Sequence, residues 1–382
     1  MPLDKSELFN MLADALEGRS AKKVKVGLTV HGSEHPPGML IGAAKEAAKS
    51  LDGVEIVLIG AGEEVEGRGI QCVKAGTLEE AHRIMEKMLD GGELDAAVTM
   101  HYSFPVGVST VGRVVTPARG KPVLIATTTG TSSANRVAAM MKNAVYGIIV
   151  AKTLGIENPS VGILNVDGSR QVERLLKQLS EQGYEINFAG SMRADGGCIM
   201  RGNDLLAGSC DVMVTDTLTG NILVKILSAY TTGGDYEALG WGYGPGIGED
   251  YRRIILILSR ASGAPVVEGA IRYAVELVRG NLLKKASEEF EKLRKAGFHE
   301  LIGELEKTGK PEEKTIVEPP PKKAVTEEIA GIDVLQMEEA VRILWKSGIY
   351  AESGMGCTGP VIMVAHEDLK SAVDILKAAG YL

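Results

Sequence analysis

Short apolar runs recur along this chain, and most are followed by a glycine- or hydroxyl-rich turn and then by a helical pattern. Val24, Val26, Leu28 and Val30 alternate as a first strand, and further runs occupy residues 55–59, 96–100, 122–126, 161–164, 186–189, 211–215 and 254–258. Between them lie helical patterns at about 39–50, up to Leu89 from a capping box formed by Thr77 and Glu80, and at 137–154, up to Ser180, and 222–230. Strands alternating with helices predict an α/β protein with a mostly parallel, doubly wound sheet. In such a sheet the ligand crevice lies beyond the carboxyl ends of the strands.

Composition sets limits on function. A chain of 382 residues with 45% apolar residues buries a real core, and its net charge of -8 disfavours nucleic acid or an anionic membrane as the main partner. The four cysteines, Cys72, Cys198, Cys210 and Cys357, form no C-x-x-C pair and match no zinc spacing. Without a disulfide framework, a cytoplasmic location is expected. The N-terminus, with Asp4, Glu7 and an amphipathic pattern through Leu8, Met11, Leu12, Ala15 and Leu16, does not read as a signal peptide. No apolar run is long enough to span a bilayer, and no cofactor is implied.

Residues 1–305 read as one large domain. Pro265 opens a helical pattern reaching Lys295, long enough to project and make a homo-oligomer contact. Residues 306–330 are charged and proline-rich, the signature of a semi-stiff linker. Residues 331–382 form a small tethered module carrying Glu352-Ser-Gly-Met-Gly-Cys357-Thr-Gly-Pro360. A thiol between glycines is either presented at a surface to carry an acyl group as a thioester, or is a small buried residue in a tight turn.

Three turns after strands are candidate sites. The 127–136 stretch offers Thr129, Thr131, Ser132, Ser133, Asn135 and Arg136 at a helix start, which suits phosphate; equally, it reads as a hydroxyl-rich cap with a solvated cation. The 165–170 turn adds Asp167 and Arg170, and the 216–221 turn adds Asp216 and Asn221, each also readable as ordinary capping. His31, His35 and His101 follow strands, but the carboxylates and thiols near them in sequence make a poor metal set, so no metal is expected. Cys198, in Gly196-Gly-Cys-Ile, is a second candidate thiol.

Residues 95–271 resemble the phosphate acyltransferase family of phospholipid synthesis, the PlsX type. The resemblance rests on Leu154-Gly-Ile-Glu-Asn-Pro-Ser-Val-Gly-Ile-Leu-Asn165, Asp204-Leu-Leu-Ala-Gly-Ser-Cys-Asp-Val-Met-Val-Thr-Asp216 and Thr215-Asp-Thr-Leu-Thr-Gly-Asn-Ile-Leu-Val-Lys225. It implies a three-layer α/β/α fold like isocitrate and isopropylmalate dehydrogenases, acyl phosphate made from an acyl thioester and phosphate, and functional roles for Asp216 and Asn221. The family's glycine-rich stretch is here Thr99-Met-His-Tyr-Ser-Phe-Pro105, and its lysine-bearing loop is Asp167-Gly-Ser-Arg170, where Arg170 or Arg174 would replace the lysine. The whole chain, with linker and module, is similar to the alpha subunits of protein C of glycine/sarcosine/betaine reductase. That similarity implies a ketoacyl-synthase-like beta subunit and selenoprotein A as partners, acetyl phosphate as product, and Cys357 as the essential thiol. Phosphate would sit on the 127–136 loop, with Asp216 and Asn221 holding the reacting oxygens.

Overall fold

The computed structural model of the chain describes residues 23–61, 65–193, 196–308, 317–333, 336–356 and 359–382. The expected N-terminal helix, the sulfur of Cys357 and the hydroxyl of Thr358 lie outside these residues.

The main body is built on one mixed sheet whose strands are β1 (Val24–Thr29), β2 (Val54–Ile59), β3 (Ile70–Val73), β4 (Ala96–Met100), β5 (Ser109–Val115), β6 (Pro122–Gly130), β7 (Ser160–Leu164), β8 (Asn187–Phe188), β9 (Ile199–Met200), β10 (Val212–Val214), β11 (Gly244–Ile247) and β12 (Ile255–Leu258). Their order is β3-β2-β1-β4-β12-β11-β5-β6-β10-β7-β8, with β9 beside β7. The outer pairings are parallel; the three central ones, β12 with β11, β11 with β5 and β5 with β6, are antiparallel. The expectation of a mostly parallel sheet thus misses its centre. Ser109–Val115 carries Gly112 and Arg113, and β11 reads Gly-Pro-Gly-Ile, so neither shows the apolar run of a strand.

Successive residues of the strands bury to opposite faces. Ile56 and Leu58 join one apolar cluster while Val57 and Ile59 join another, and Val212 and Val214 are separated in the same way from Met213. One face is covered by helices Pro37–Ser50, Ala264–Arg279 and Arg136–Thr153, and the other by Leu78–Asp90 and Thr217–Ala229. Helices on both faces explain why strands such as β2, β4 and β10 are mostly apolar rather than alternating. Thr77 caps its helix by accepting from Glu80 N at 3.2 Å, but the Glu80 carboxylate accepts from Gly76 N at 2.7 Å, one residue before the bond of a full capping box.

The expected long helix from Pro265 to Lys295 is two helices, Ala264–Arg279 and Leu282–Lys295, followed by Phe298–Thr308. The chain turns at Asn281, in the left-handed region with φ 56°. Asparagine tolerates that conformation better than most residues. Tyr273, Leu277, Phe290 and Leu293 are buried, so these helices fold back on the body instead of projecting.

The C-terminal unit has its own core, including Ile329, Met337, Leu344, Ile362, Val364 and Leu376. It contains strands β13 (Glu327–Ala330), β14 (Ala351–Gly356) and β15 (Gly359–Val364) in the order β13-β15-β14, with helices Met337–Lys346 and Leu369–Ala378. Strand β13 falls within the stretch whose composition reads as linker.

Candidate active site

Strands β6 and β10 are parallel neighbours, and each leads into a helix at its carboxyl end. Asp216 is the N-cap of helix Thr217–Ala229. Its carboxylate accepts from Thr219 N at 3.0 Å, from Thr219 Oγ1 at 2.6 Å and from Arg136 Nη2 at 3.1 Å. Burial acts to raise the Asp216 carboxyl, but the Thr219 hydroxyl and amide and the Arg136 guanidinium together hold it below the usual carboxylate range. Asn135 caps helix Arg136–Thr153 through Ala138 N at 3.0 Å and donates from Nδ2 to Leu305 O at 2.9 Å. Both helix starts are therefore capped from within the chain.

Helix Thr217–Ala229 begins five residues before the start expected at Ile222, because Gly220 lies inside it rather than in a turn. A Cβ at Gly220 would lie 1.7 Å from Thr127 O, so only glycine lets this helix rest directly on β6. That approach brings Asn221 Nδ2 to 3.0 Å from Thr128 O. Strand β6 itself runs on through Thr127, Thr128 and Thr129, which the sequence reading assigns to a turn. The Thr128 hydroxyl lies 2.6 Å from Thr110 Oγ1 and donates to Tyr243 O at 2.7 Å, stitching β6 to β5 and to the residue before β11.

Behind the site, fully buried Asn143 accepts at Oδ1 from Ser109 Oγ at 3.0 Å and from Ser132 Oγ at 2.8 Å, and donates to Thr215 O at 3.2 Å. One amide thus joins β5, the turn after β6 and the end of β10.

A cavity of about 770 Å³ opens beyond the ends of β4, β6 and β12. Its wall includes His101, Ser103, Thr129, Thr131, Asn221, Lys225, Ser259 and Arg260, with Glu34 and Asp235 at its acidic positions. A smaller apolar annex of about 380 Å³, with Ile226, Ala229, Tyr230 and Tyr236 in its wall, shares Lys225, Gly234 and Ala261 with it. The volumes fall in the small-molecule range of roughly 300–1,000 Å³.

The structure gathers the expected residues into two groups. Thr129, Thr131 and Asn221 line the cavity. Arg136 and Asp216 form an ion pair that does not line it, with Asp167 at 4.0 Å from the guanidinium. Ser132 is committed to Asn143, and Ser133 donates to Glu306 Oε1 at 2.8 Å. Arg170 turns to Glu173 at 3.2 Å, and Arg174 donates to Gln336 Oε1 at 2.9 Å. Cys198 is buried, its Sγ 3.4 Å from Glu173 Oε1, and burial pushes its thiol up to about 12. Among the described residues no cluster of histidine, cysteine and carboxylate has the makings of a metal site. Sequence reasoning missed Lys225 and Arg260, although Lys225 stands one helical turn after Asn221 and Arg260 follows the apolar run ending at Leu258.

The family described as "Fatty acid synthesis protein" matches residues 24–363, and the chain belongs to that family. It is 56% identical, over 97% of its length and 96% of the other, to the glycine/sarcosine/betaine reductase complex component C subunit alpha of Peptoclostridium acidaminophilum. It is 28% identical to the phosphate acyltransferase of Thermotoga petrophila, over 54% of this chain and 68% of that one. Among solved structures, a branched-chain phosphotransacylase from Enterococcus faecalis V583 aligns with a TM-score of 0.49 and 17% identity, covering 67% of this chain and 99% of that one. No helix of the described residues is long and apolar enough to cross a membrane.

Proposed function

We propose that the chain is an acyltransferase that moves an acetyl group from a thioester on Cys357 to inorganic phosphate. In this reading it is the acetyl-phosphate-forming subunit of a glycine/sarcosine/betaine reductase complex, working with a beta subunit of protein C and with selenoprotein A. The observation that carries the reading is the convergence of Thr129, Thr131 and Asn221 on one polar cavity at the strand ends, in a chain 56% identical to a component C alpha subunit. A phosphate oxygen attacks the thioester carbonyl, the carbon–oxygen bond forms, the carbon–sulfur bond breaks and Cys357 leaves as thiolate. Phosphate is already anionic at neutral pH, so positioning and charge stabilisation do most of the work. Asn221 lines the cavity, and its Nδ2 bond to Thr128 O at 3.0 Å fixes its place against β6. Asp216 acts with Arg136, holding the helix start and the adjoining loop in place.

The test is arsenate-dependent breakdown of acetyl phosphate by the whole chain. Activity is expected in the native protein and absent in Cys357→Ala; full activity in that variant removes the thiol from the mechanism. The apolar annex beside the cavity favours a second reading, direct action on a soluble acyl thioester with its apolar part in the annex. Trapping of labelled acetyl separates the two: label on a Cys357 peptide supports the first, and turnover without protein label supports the second.

A further inference from the structure

The proposed reaction needs a cation beside the phosphate, and the two arginines that sequence offers for that role are occupied elsewhere. Arg170 pairs with Glu173, and Arg174 reaches across to Gln336 in the C-terminal unit. Neither lines the cavity. Arg136, the third, is held by Asp216.

We propose that Lys225 is the catalytic residue that binds the phosphate group, resting on the function proposed above. Its side chain forms part of the cavity wall, and among the described residues no hydrogen bond or ion pair holds its ammonium. Its backbone is fixed nonetheless. It lies one turn after Asn221 on helix Thr217–Ala229, which Gly220 seats against Thr127 and which Asn221 ties to Thr128 O. Residues four apart share a helix face, so the Asn221 amide and the Lys225 ammonium reach the same side.

Position adds a second argument. Lys225 belongs both to the polar cavity and to the apolar annex. An acyl phosphate has the same two-part character, a charged end joined to an apolar end. A cation at the border of the two spaces places the phosphorus oxygens in the polar cavity and leaves the acyl group facing the annex. The ammonium is a compact charge with three donors, suited to a tetrahedral anion. Arg260, from the end of β12, brings a second cation to the wall, while Glu34 and Asp235 keep its charge balanced overall. The anion is therefore met by two local cations and polar donors rather than by a general excess of positive charge. In the forward step Lys225 holds phosphate while its oxygen attacks. In reverse it holds the phosphate that leaves as the sulfur attacks.

The experiment compares Lys225→Met, Lys225→Arg and Arg170→Met in the whole chain. Binding of radiolabelled inorganic phosphate is read by equilibrium dialysis, and KM and kcat for acetyl phosphate by arsenolysis. Lys225→Met should weaken phosphate binding and raise KM by about tenfold or more, the loss expected for one charge-assisted contact. Lys225→Arg should recover most of the binding, Arg170→Met should match the native chain, and all three should keep the native thermal midpoint, since Lys225 and Arg170 are both exposed. Native phosphate binding in Lys225→Met overturns the proposal, as does a loss in Lys225→Arg as complete as in Lys225→Met. If the native chain binds phosphate but does not turn over acetyl phosphate, the functional reading falls while the dialysis still decides the role of Lys225.

Discussion

Arg136 Nη2 donates to Asp216 Oδ2 at 3.1 Å, and this contact joins the first turn of one helix to the cap of another. The two helices follow neighbouring parallel strands, β6 and β10. The pair therefore holds side by side the two strand ends from which Thr129, Thr131 and Asn221 reach the cavity.

Asp216 should make stability fall in acid. Its carboxyl is held below the ordinary range, chiefly by Thr219 and then by Arg136 against an opposing effect of burial. A carboxyl whose folded value is lowered contributes stability that is present above the unfolded value of about 3.9 and is lost as pH falls through the folded value. Asp216→Ala should lower stability at neutral pH by about 1 kcal/mol, the usual effect of losing an N-cap. It should also flatten the acid limb of a denaturation midpoint measured against pH. An acid limb identical to the native one would remove Asp216 from this account.

Asn143 should matter more than its distance from solvent suggests. Replacing it with alanine leaves Thr215 O without its donor and the hydroxyls of Ser109 and Ser132 without their acceptor, all in a buried setting. Stranding buried polar groups costs about 1–3 kcal/mol each. Urea denaturation of Asn143→Ala should show a large drop in midpoint, and a native midpoint would mean that these three bonds contribute nothing to stability.

Gly220→Ala tests the seating of the helix. The added methyl would lie 1.7 Å from Thr127 O, a backbone atom with little room to give. Overpacking of this kind costs about 1–3 kcal/mol and sometimes more. The variant should be destabilised and should lose phosphate binding, because Asn221 and Lys225 ride on the displaced helix. Native stability in calorimetry would show that the helix does not rest on β6 as described.

Arg174 is a contact between helix Ser169–Glu181 and the C-terminal unit. Besides its bond to Gln336, it is influenced by Asp333, a buried carboxylate on the same unit. Arg174→Ala should speed amide hydrogen exchange in helices Ser169–Glu181 and Met337–Lys346 together, leaving exchange in β1 and β4 unchanged. Unaltered exchange in both helices would mean that the contact contributes nothing to docking.

Much of the fold is legible in the sequence because strands buried on both faces need apolar runs, and β2, β4, β7, β10 and β12 all show one, while β1 is marked by its alternation. The central antiparallel strands are not legible for the converse reason. Gly244-Pro-Gly-Ile247 pairs through backbone alone with neighbours too close for side chains, so its composition resembles a loop. Gly220 misleads in the same way: a residue that usually breaks helices is here what allows one to pack. The break at Asn281 leaves only a weak mark, one left-handed residue between two good helical patterns. Of the site, Asn221 could be read from its turn, whereas Arg260 and His101 come together with it only because β12 and β4 are neighbours in the sheet.

The C-terminal unit draws its cohesion from an apolar cluster of its own, built from Ile329, Met337, Leu344, Ile362, Val364 and Leu376. In the proposed transfer, a part with a core of its own need not be moulded to the cavity in order to serve it; it needs only to visit.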